Sequence, residues 1–249
     1  MAKIRLVALD MDGTLLNDRQ EVSPRNAAAI RRALDAGVIV CLATGRGVQH
    51  VLPYTELLGL TTPMITVNGG EIWRRPHDLH RRTPMQAEDV LRLRELALER
   101  GVWYWAYATD GVYNRERWVE PEDAVRSKVW LKFGYYEENA AVLDEIRRTA
   151  ESWGGFEISN SSPANIELNP SGVSKGAALI ELCDLLGIDP AETAAAGDSL
   201  NDLSMIRTAG LGAAMGGAQQ RVKEAADIVL PGNNEDGVAH LIEHYVLRG

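Results

Sequence analysis

The stretch that most constrains the fold is Ile4 to Leu16, IRLVALDMDGTLL. Five of the six residues from Ile4 to Leu9 are apolar, the make-up of a short strand buried on both faces. The run stops abruptly at Asp10, Asp12 and Gly13. Side chains two residues apart on extended backbone point to the same side, so both carboxylates are expected together at the strand's end. Gly13 allows a sharp turn just behind them. Like charges held close repel, and a bound divalent cation is the usual compensation. A lone Asp-x-Asp-Gly is also common in polar loops, so the pair carries chemistry only if other signals join it. A calcium loop is the sharper alternative, because Asp10, Asp12 and Glu21 fall at positions 1, 3 and 12 of an EF-hand count. It fails on mechanism. Position 6, which needs glycine, is Leu15, and a strand rather than a helix leads in.

The elements that follow repeat one rhythm. Ser23-Pro24 opens a helical pattern through Ala36, closed by Gly37; the serine caps, the proline suits the first turn and the glycine ends it. Val38 to Ala43 is a second buried strand, running into Thr44-Gly45-Arg46. A helix then reaches about Leu58, with a kink or break at Pro53. Met64 to Val67 is a third strand, and Asn68-Gly69-Gly70 turns it into a short hairpin at Glu71 to Arg74. Strand, helix, strand, helix, strand predicts a parallel sheet with helices on its faces.

From Thr83 to Pro170 the texture changes. A helix (Ala87 to Arg100) precedes two β-rich runs, Val102 to Ala108 and Val112 to Trp118, with Asp110-Gly111 as the turn between them. A strand (Lys128 to Phe133), a helix (Glu138 to Trp153) and two further strands (Phe156 to Asn160, Asn165 to Leu168) complete the segment. Twelve of the fifteen aromatic residues lie here. A shift that strong, with an antiparallel-looking order, predicts an inserted α+β domain. The first texture then returns, with a helix from Lys175 to Leu186, a strand from Thr193 to Ala196 ending in Gly197-Asp198, a helix through Leu203 to Thr208, a strand from Leu211 to Met215, a helix from Ala218 to Ala226 and a last strand from Ile228 to Leu230. The expected organisation is therefore α/β, a Rossmann-like parallel-sheet core of residues 1–82 and 171–249 interrupted by an α+β domain of residues 83–170.

Composition excludes several classes. With 35 acidic against 26 basic residues, the net charge is −9, the opposite of the basic stripe that nucleic acid requires. No apolar stretch approaches the roughly 18 residues of a membrane span, and no charged-then-apolar leader is visible. Cys41 and Cys183 each sit in an apolar segment, which predicts buried thiols rather than a disulfide and a cytoplasmic protein.

Four polar signals share one position, just beyond a strand or at a helix start. They are Asp10 with Asp12, Thr44-Gly45, Lys175, and Asp198 with Asn201 and Asp202. Singly, Thr44 reads as a cap, Lys175 as a surface lysine and the last group as a polar turn. In an open parallel sheet, however, ligands bind at the carboxyl ends of the strands, where loops distant in sequence converge. Converged, these four present a carboxylate cluster, a hydroxyl, an ammonium and glycine-rich backbone. Clustered acids suit Mg²⁺, and hydroxyl, ammonium and N–H groups suit phosphoryl oxygens. That is an apparatus for phosphoryl transfer.

DMDGTLL, ATGR, GVSKG and GDSLNDLSMI resemble, in order, the four motifs of the haloacid dehalogenase superfamily. The large insertion between the second and third motifs resembles its Cof-type branch of capped phosphatases, as do VNGG, AAMGGAQQRVKEAADIV and NNEDGVAHLI. Two departures, Gly70 for alanine and Gly217 for asparagine, lie outside the catalytic positions. The resemblance implies Asp10 as nucleophile and Asp12 as the acid that protonates the leaving oxygen and then activates water. It implies Mg²⁺ on Asp10, the Asp12 backbone carbonyl and Asp198, with Asp202 in support. Thr44, Gly45 and Lys175 would hold the transferring phosphoryl oxygens, and Asn201 would orient them. The expected partner is a small phosphorylated metabolite, sugar phosphates first, with phosphoglycolate, pyridoxal phosphate and nucleotides behind. Transfer to a sugar hydroxyl, as in a phosphotransferase or mutase, and a non-catalytic binding module are the other readings.

For the inserted domain, Lys128 to Phe133 alternates, placing Val129, Leu131 and Phe133 on a helix-packed face and Lys128, Trp130 and Lys132 on an open one. Trp103, Trp105 and Tyr107 alternate alike on a neighbouring strand. An open face with several tryptophans predicts either contact with substrate or a homodimer formed through this domain.

Overall fold

The computed structural model describes residues 3–248. The chain divides into two compact units, residues 1–81 with 174–249 and residues 82–173. In the first, β1 (Leu6–Leu9), α1 (Pro24–Asp35), β2 (Ile39–Ala43), α2 (Leu52–Leu58), β3 (Met64–Thr66), β4 (Glu71–Arg75) and β5 (Asp78–Arg82) precede the insertion. The insertion contains α3 (Ala87–Arg100), β6 (Trp103–Ala108), β7 (Gly111–Asn114), α4 (Glu122–Arg126), β8 (Trp130–Tyr136), α5 (Ala140–Trp153), β9 (Phe156–Ser159) and β10 (Asn165–Pro170). The chain then adds α6 (Lys175–Leu186), β11 (Thr193–Gly197), α7 (Leu203–Thr208), β12 (Leu211–Ala214), α8 (Gln220–Ala225), β13 (Ile228–Val229) and α9 (Gly237–Leu241).

The first unit is an eight-stranded sheet of order β13-β12-β11-β1-β2-β3-β4-β5. Its six strands from β13 to β3 run parallel, and β4 pairs antiparallel with β3. β1 is central and wholly buried. Val7 and Leu9 pack into one apolar cluster with Ala29, Ile30 and Ala33 of α1. Leu6 and Ala8 pack into the other with Ala178, Leu179 and Leu182 of α6. Each valine, leucine or isoleucine among them stabilises by about 1.5–3 kcal/mol when taken from water, which is why this apolar run has no solvent face. The strand order turns at β1: β2 and β3 lie on one side, and β11 and β12 on the other. Chains leaving β1 and β11 therefore diverge, opening the crevice where α/β sheets bind ligands. The hairpin expected at Glu71 to Arg74 is longer than its sequence suggested, because β5 follows as an edge strand.

The inserted unit is a five-stranded sheet of order β7-β6-β8-β10-β9, with antiparallel pairings throughout. Val90, Leu93 and Leu96 of α3 and Leu143 and Ile146 of α5 cover one face together with Phe133 and Tyr135. Here the expected alternation fails. Leu131 is an extra residue in β8, since Tyr107 pairs with Lys132 and Ala108 with Trp130. Such a bulge reverses the phase of a strand, so Trp130 faces the helices and is fully buried, whereas Val129 is exposed. Trp130 stacks on Trp118 with ring centroids 5.6 Å apart, and its Nε1 donates to the Val125 carbonyl at 2.9 Å. Burying an indole with its N–H satisfied outweighs burying a valine. The helix that supplies that carbonyl, α4, has no counterpart in the sequence reading.

Trp103, Trp105 and Tyr107 lie half-buried on the other face as expected, and Lys132 joins them in a buried ion pair with Glu167 at 3.0 Å. Without Trp130 that face offers less apolar area for pairing two copies. Lys128 instead pairs with Asp110 at 2.5 Å. Both cysteines are buried free thiols. Among the described residues no helix is long and apolar enough to cross a membrane.

Candidate active site

β1 ends at Leu9, and the backbone turns at once. Leu15 N–H donates to the Asp10 carbonyl at 3.3 Å and Leu16 N–H to the Met11 carbonyl at 2.8 Å. The period-2 rule therefore stops before it reaches both acids. Asp10 points inward and is 5% exposed, while the Asp12 side chain is 48% exposed. The turn begins between them, so Asp10 is buried while Asp12 reaches solvent, and the Asp12 carboxylate is not among the acids grouped with Asp10.

Asp10 finds different company. Lys175, the first residue of α6, is fully buried, and its Nζ donates to Asp10 Oδ1 at 2.7 Å and to Asp202 Oδ1 at 2.6 Å. Asp202 Oδ2 accepts the backbone N–H of Asp198 at 3.0 Å and of Ser199 at 3.1 Å, folding the chain after β11 into a tight cradle. Gly197 is needed there for close approach, since a Cβ at that position would lie 2.3 Å from Asp202. Gly13 does two things. It takes φ +74°, and a Cβ on it would lie 2.7 Å from Asp198 Oδ2, so the first and last motifs touch only because no side chain intervenes.

Carboxylate oxygens of Asp10, Asp198 and Asp202 lie within 4.8 Å of one another. Their oxygen-only donor set and excess charge fit a hard divalent cation. Burial pushes the Asp10 carboxyl well above the usual range, Asp202 adds to the push, and Lys175 opposes it. Burial and then Asp202 push Asp198 up to about 7. Lys175 is pulled down by burial, but Asp10 and Asp202 more than reverse this and hold it protonated.

A stability consequence follows for metal-free protein. Asp198 has a folded value near 7 against an ordinary 3.8, so its ionised form opposes folding. That cost is absent below pH 4, grows as pH rises, and is complete above pH 7. Asp198→Asn is expected to raise stability in chelator by about 1–3 kcal/mol at pH 8 and hardly at all at pH 4. Equal midpoints at pH 8 in thermal melts would show that the carboxyl is not held against ionisation.

The other expected residues are placed as follows. Thr44 follows β2, the strand next to β1, and is 1% exposed. Its Oγ1 accepts the Arg46 N–H at 3.1 Å, with Gly45 between them. Asn201 Nδ2 donates to Asn68 Oδ1 at 3.2 Å, and its own Oδ1 is buried without a partner among the described residues. Asp12 lies outside the acidic trio, so its carboxylate is not one of the grouped ligands. Arg46 holds it instead, with Nε to Oδ2 at 2.8 Å and Nη2 to Oδ1 at 2.6 Å. Burial alone pushes the Asp12 carboxyl up, but the Arg46 hydrogen bonds and charge, with Gln20, bring it below the usual range. Arg46 lies inside the ATGR motif and was passed over, because an arginine after Thr-Gly carries no partner in the sequence. Asn68 was also missed, as its left-handed backbone (φ 57°) is visible only in the fold.

Comparison with known proteins agrees with this architecture. The haloacid dehalogenase-like hydrolase family matches residues 7–145 and 118–242. A 5-amino-6-(5-phospho-D-ribitylamino)uracil phosphatase of Bacillus subtilis is 43% identical over 248 residues, covering 98% of this chain and 96% of its own. A pyridoxal phosphate phosphatase of Escherichia coli is 29% identical, covering 98% and 99%. Among solved structures, a haloacid dehalogenase-like hydrolase from B. subtilis superposes with a TM-score of 0.89 at 28% identity, covering 97% of this chain and all of its own. The chain thus belongs to the haloacid dehalogenase-like hydrolases, as a phosphoric monoester hydrolase.

Proposed function

We propose that the chain is a cytoplasmic Mg²⁺-dependent phosphatase that hydrolyses the phosphate ester of a small polyol or sugar through an aspartyl-phosphate on Asp10. The observation that carries this reading is the trio of acids, Asp10 and Asp202 buried and Asp198 half-buried, with Lys175 bonded to the two buried ones. The first substrate to test is 5-amino-6-(5-phospho-D-ribitylamino)uracil, on the strength of the 43% identity across nearly both whole chains.

The residues divide the work. An Asp10 oxygen bonds to phosphorus as the ester P–O bond breaks, and the leaving oxygen takes a proton that Asp12 gains from solvent once the negative charge of the ester stands beside it. Water then bonds to phosphorus, its proton passes to Asp12, and the Asp10–phosphorus bond breaks to release phosphate. Asp10, Asp198 and the Asp12 backbone carbonyl would hold Mg²⁺, which supplies charge neutralisation for an anionic nucleophile meeting an anionic ester. Asp202 seats Lys175 and the 198–199 backbone and would support the metal beside Asp198. Lys175 has three donors, two of them given to carboxylates, and keeps one for a phosphoryl oxygen. Thr44, Gly45 and Asn201 would complete the phosphoryl cradle.

The test is phosphate release from a panel of phosphorylated metabolites, with and without a sugar acceptor. Activity should vanish in excess chelator, return with Mg²⁺ and stay absent with Ca²⁺, whose larger and looser coordination shell misplaces Asp10. Full activity in chelator would remove the metal from the reading. Phosphate appearing on the sugar rather than in solution would make the protein a phosphotransferase.

A further inference from the structure

The contact between Arg46 and Asp12 is built more firmly than a surface ion pair. Exposed pairs are worth little because two long side chains must be ordered in water. Here the arginine is fixed at both backbone and guanidinium. The Arg46 N–H donates to Thr44 Oγ1 at 3.1 Å, and its carbonyl accepts the Val67 N–H at 2.9 Å. The Tyr54 ring centroid lies 5.5 Å from the guanidinium carbon, a favourable cation–π distance. Nη2 makes a further hydrogen bond to the Gln20 amide oxygen, and the Tyr54 hydroxyl donates to the Gln20 carbonyl at 3.1 Å. Gln20 itself holds a left-handed backbone, φ 61°, uncommon for a residue other than glycine. The Arg46 side chain is 22% exposed against 48% for Asp12. The ordered partner is the arginine, and the fork aims the carboxylate.

Planar, bidentate contact fixes the direction of a carboxylate as a lysine could not. It engages one lone pair on each oxygen and leaves the other free to carry a proton on the side away from the fork. Nη2 is shared between Asp12 Oδ1 and the Gln20 amide oxygen, so Gln20 holds the fork in place.

We propose that Arg46 is the positioning residue for Asp12, aiming it at the leaving oxygen, and that Gln20 anchors Arg46 in that pose. This rests on the phosphatase reading above and adds a residue to it. The consequence depends on the leaving group. A sugar or polyol alkoxide leaves poorly and needs the proton, whereas nitrophenolate departs without it. Since kcat/KM covers steps up to formation of the phosphoenzyme, the difference is read there.

Full-length Arg46→Ala, Arg46→Lys and Gln20→Ala should be assayed with Mg²⁺ on ribitol 5-phosphate and on p-nitrophenyl phosphate. Proton donation is worth about 10²–10⁴-fold. Arg46→Ala is expected to lower kcat/KM about 100-fold on the polyol ester and less than about 5-fold on the aryl ester, with little change in KM. Arg46→Lys should fall between, and Gln20→Ala should show the same selectivity more weakly. In an Asp12→Ala background, Arg46→Ala should cost nothing further on the polyol ester. Equal losses on both esters, a rise in KM at constant kcat, or multiplying losses in the double variant would overturn the proposal. If Arg46→Ala does not fold by circular dichroism, Arg46→Lys and Gln20→Ala decide the question. Asp10→Asn in the same assays separates the two levels. Turnover surviving in that variant overturns the phosphatase reading and this proposal together. Its loss alongside unselective Arg46 variants overturns only the role of Arg46.

Discussion

Asp10→Asn is expected to lose turnover to below about a hundredth of wild type while keeping its fold, because a positioned nucleophile ordinarily matters at about 10²-fold or more. The amide matches the carboxylate in size and can still accept from Lys175 Nζ, which stands 2.7 Å from Oδ1, but it cannot form the acyl-phosphate. Stability should not suffer. Burial and Asp202 already disfavour the ionised carboxylate, so removing that charge leaves Lys175 paired with Asp202 and relieves repulsion. Unchanged circular dichroism and an equal or higher melting temperature in chelator should accompany the lost activity. Retention of more than a hundredth of the rate would move the nucleophile elsewhere.

Lys175→Met is expected to damage stability and activity together. Lys175 is fully buried and bonded to two buried acids. Breaking a buried pair from one side costs roughly 3–5 kcal/mol, because a charge is left uncompensated. The loss has a sign in pH. Lys175 lowers the Asp10 carboxyl towards its ordinary value of 3.8, so its removal lets the folded value climb further above the unfolded one. The added cost is therefore full at pH 8 and fades as pH falls towards 4, where the acids are protonated in both states. Denaturant melts of metal-free protein should show a larger deficit at pH 8 than at pH 5. Turnover should drop by about 10²-fold or more, as charge stabilisation by a single donor is often worth that much. An equal deficit at both pH values would mean that Lys175 acts through packing, and wild-type turnover would remove it from the phosphoryl cradle.

Sequence alone determined the parts of this protein that are short-range or absolute. β1 was legible because a four-residue run buried on both faces tolerates only apolar side chains. α1 and α6 were legible because a serine caps the start of each and a glycine follows its end, and the end of α3 is likewise marked by Gly101. Candidate site residues could be proposed because each stands just beyond a strand or at a helix start, and in a parallel sheet the strand ends meet. The tertiary structure decided who touches whom. Asp10 is buried and Asp12 half exposed, as hydrogen bonds within the 10–16 turn end the strand before alternation can carry through both. Arg46 gained its meaning from Asp12, 34 residues away. Trp130 entered the core of the inserted unit because one unpaired residue, Leu131, inverted the strand's phase. A bulge costs the sequence no recognisable signal, since it answers to the register of a partner strand. Local pattern thus reports what a segment must bury or cap, whereas side-chain direction past a turn or bulge is set by neighbours distant in the chain.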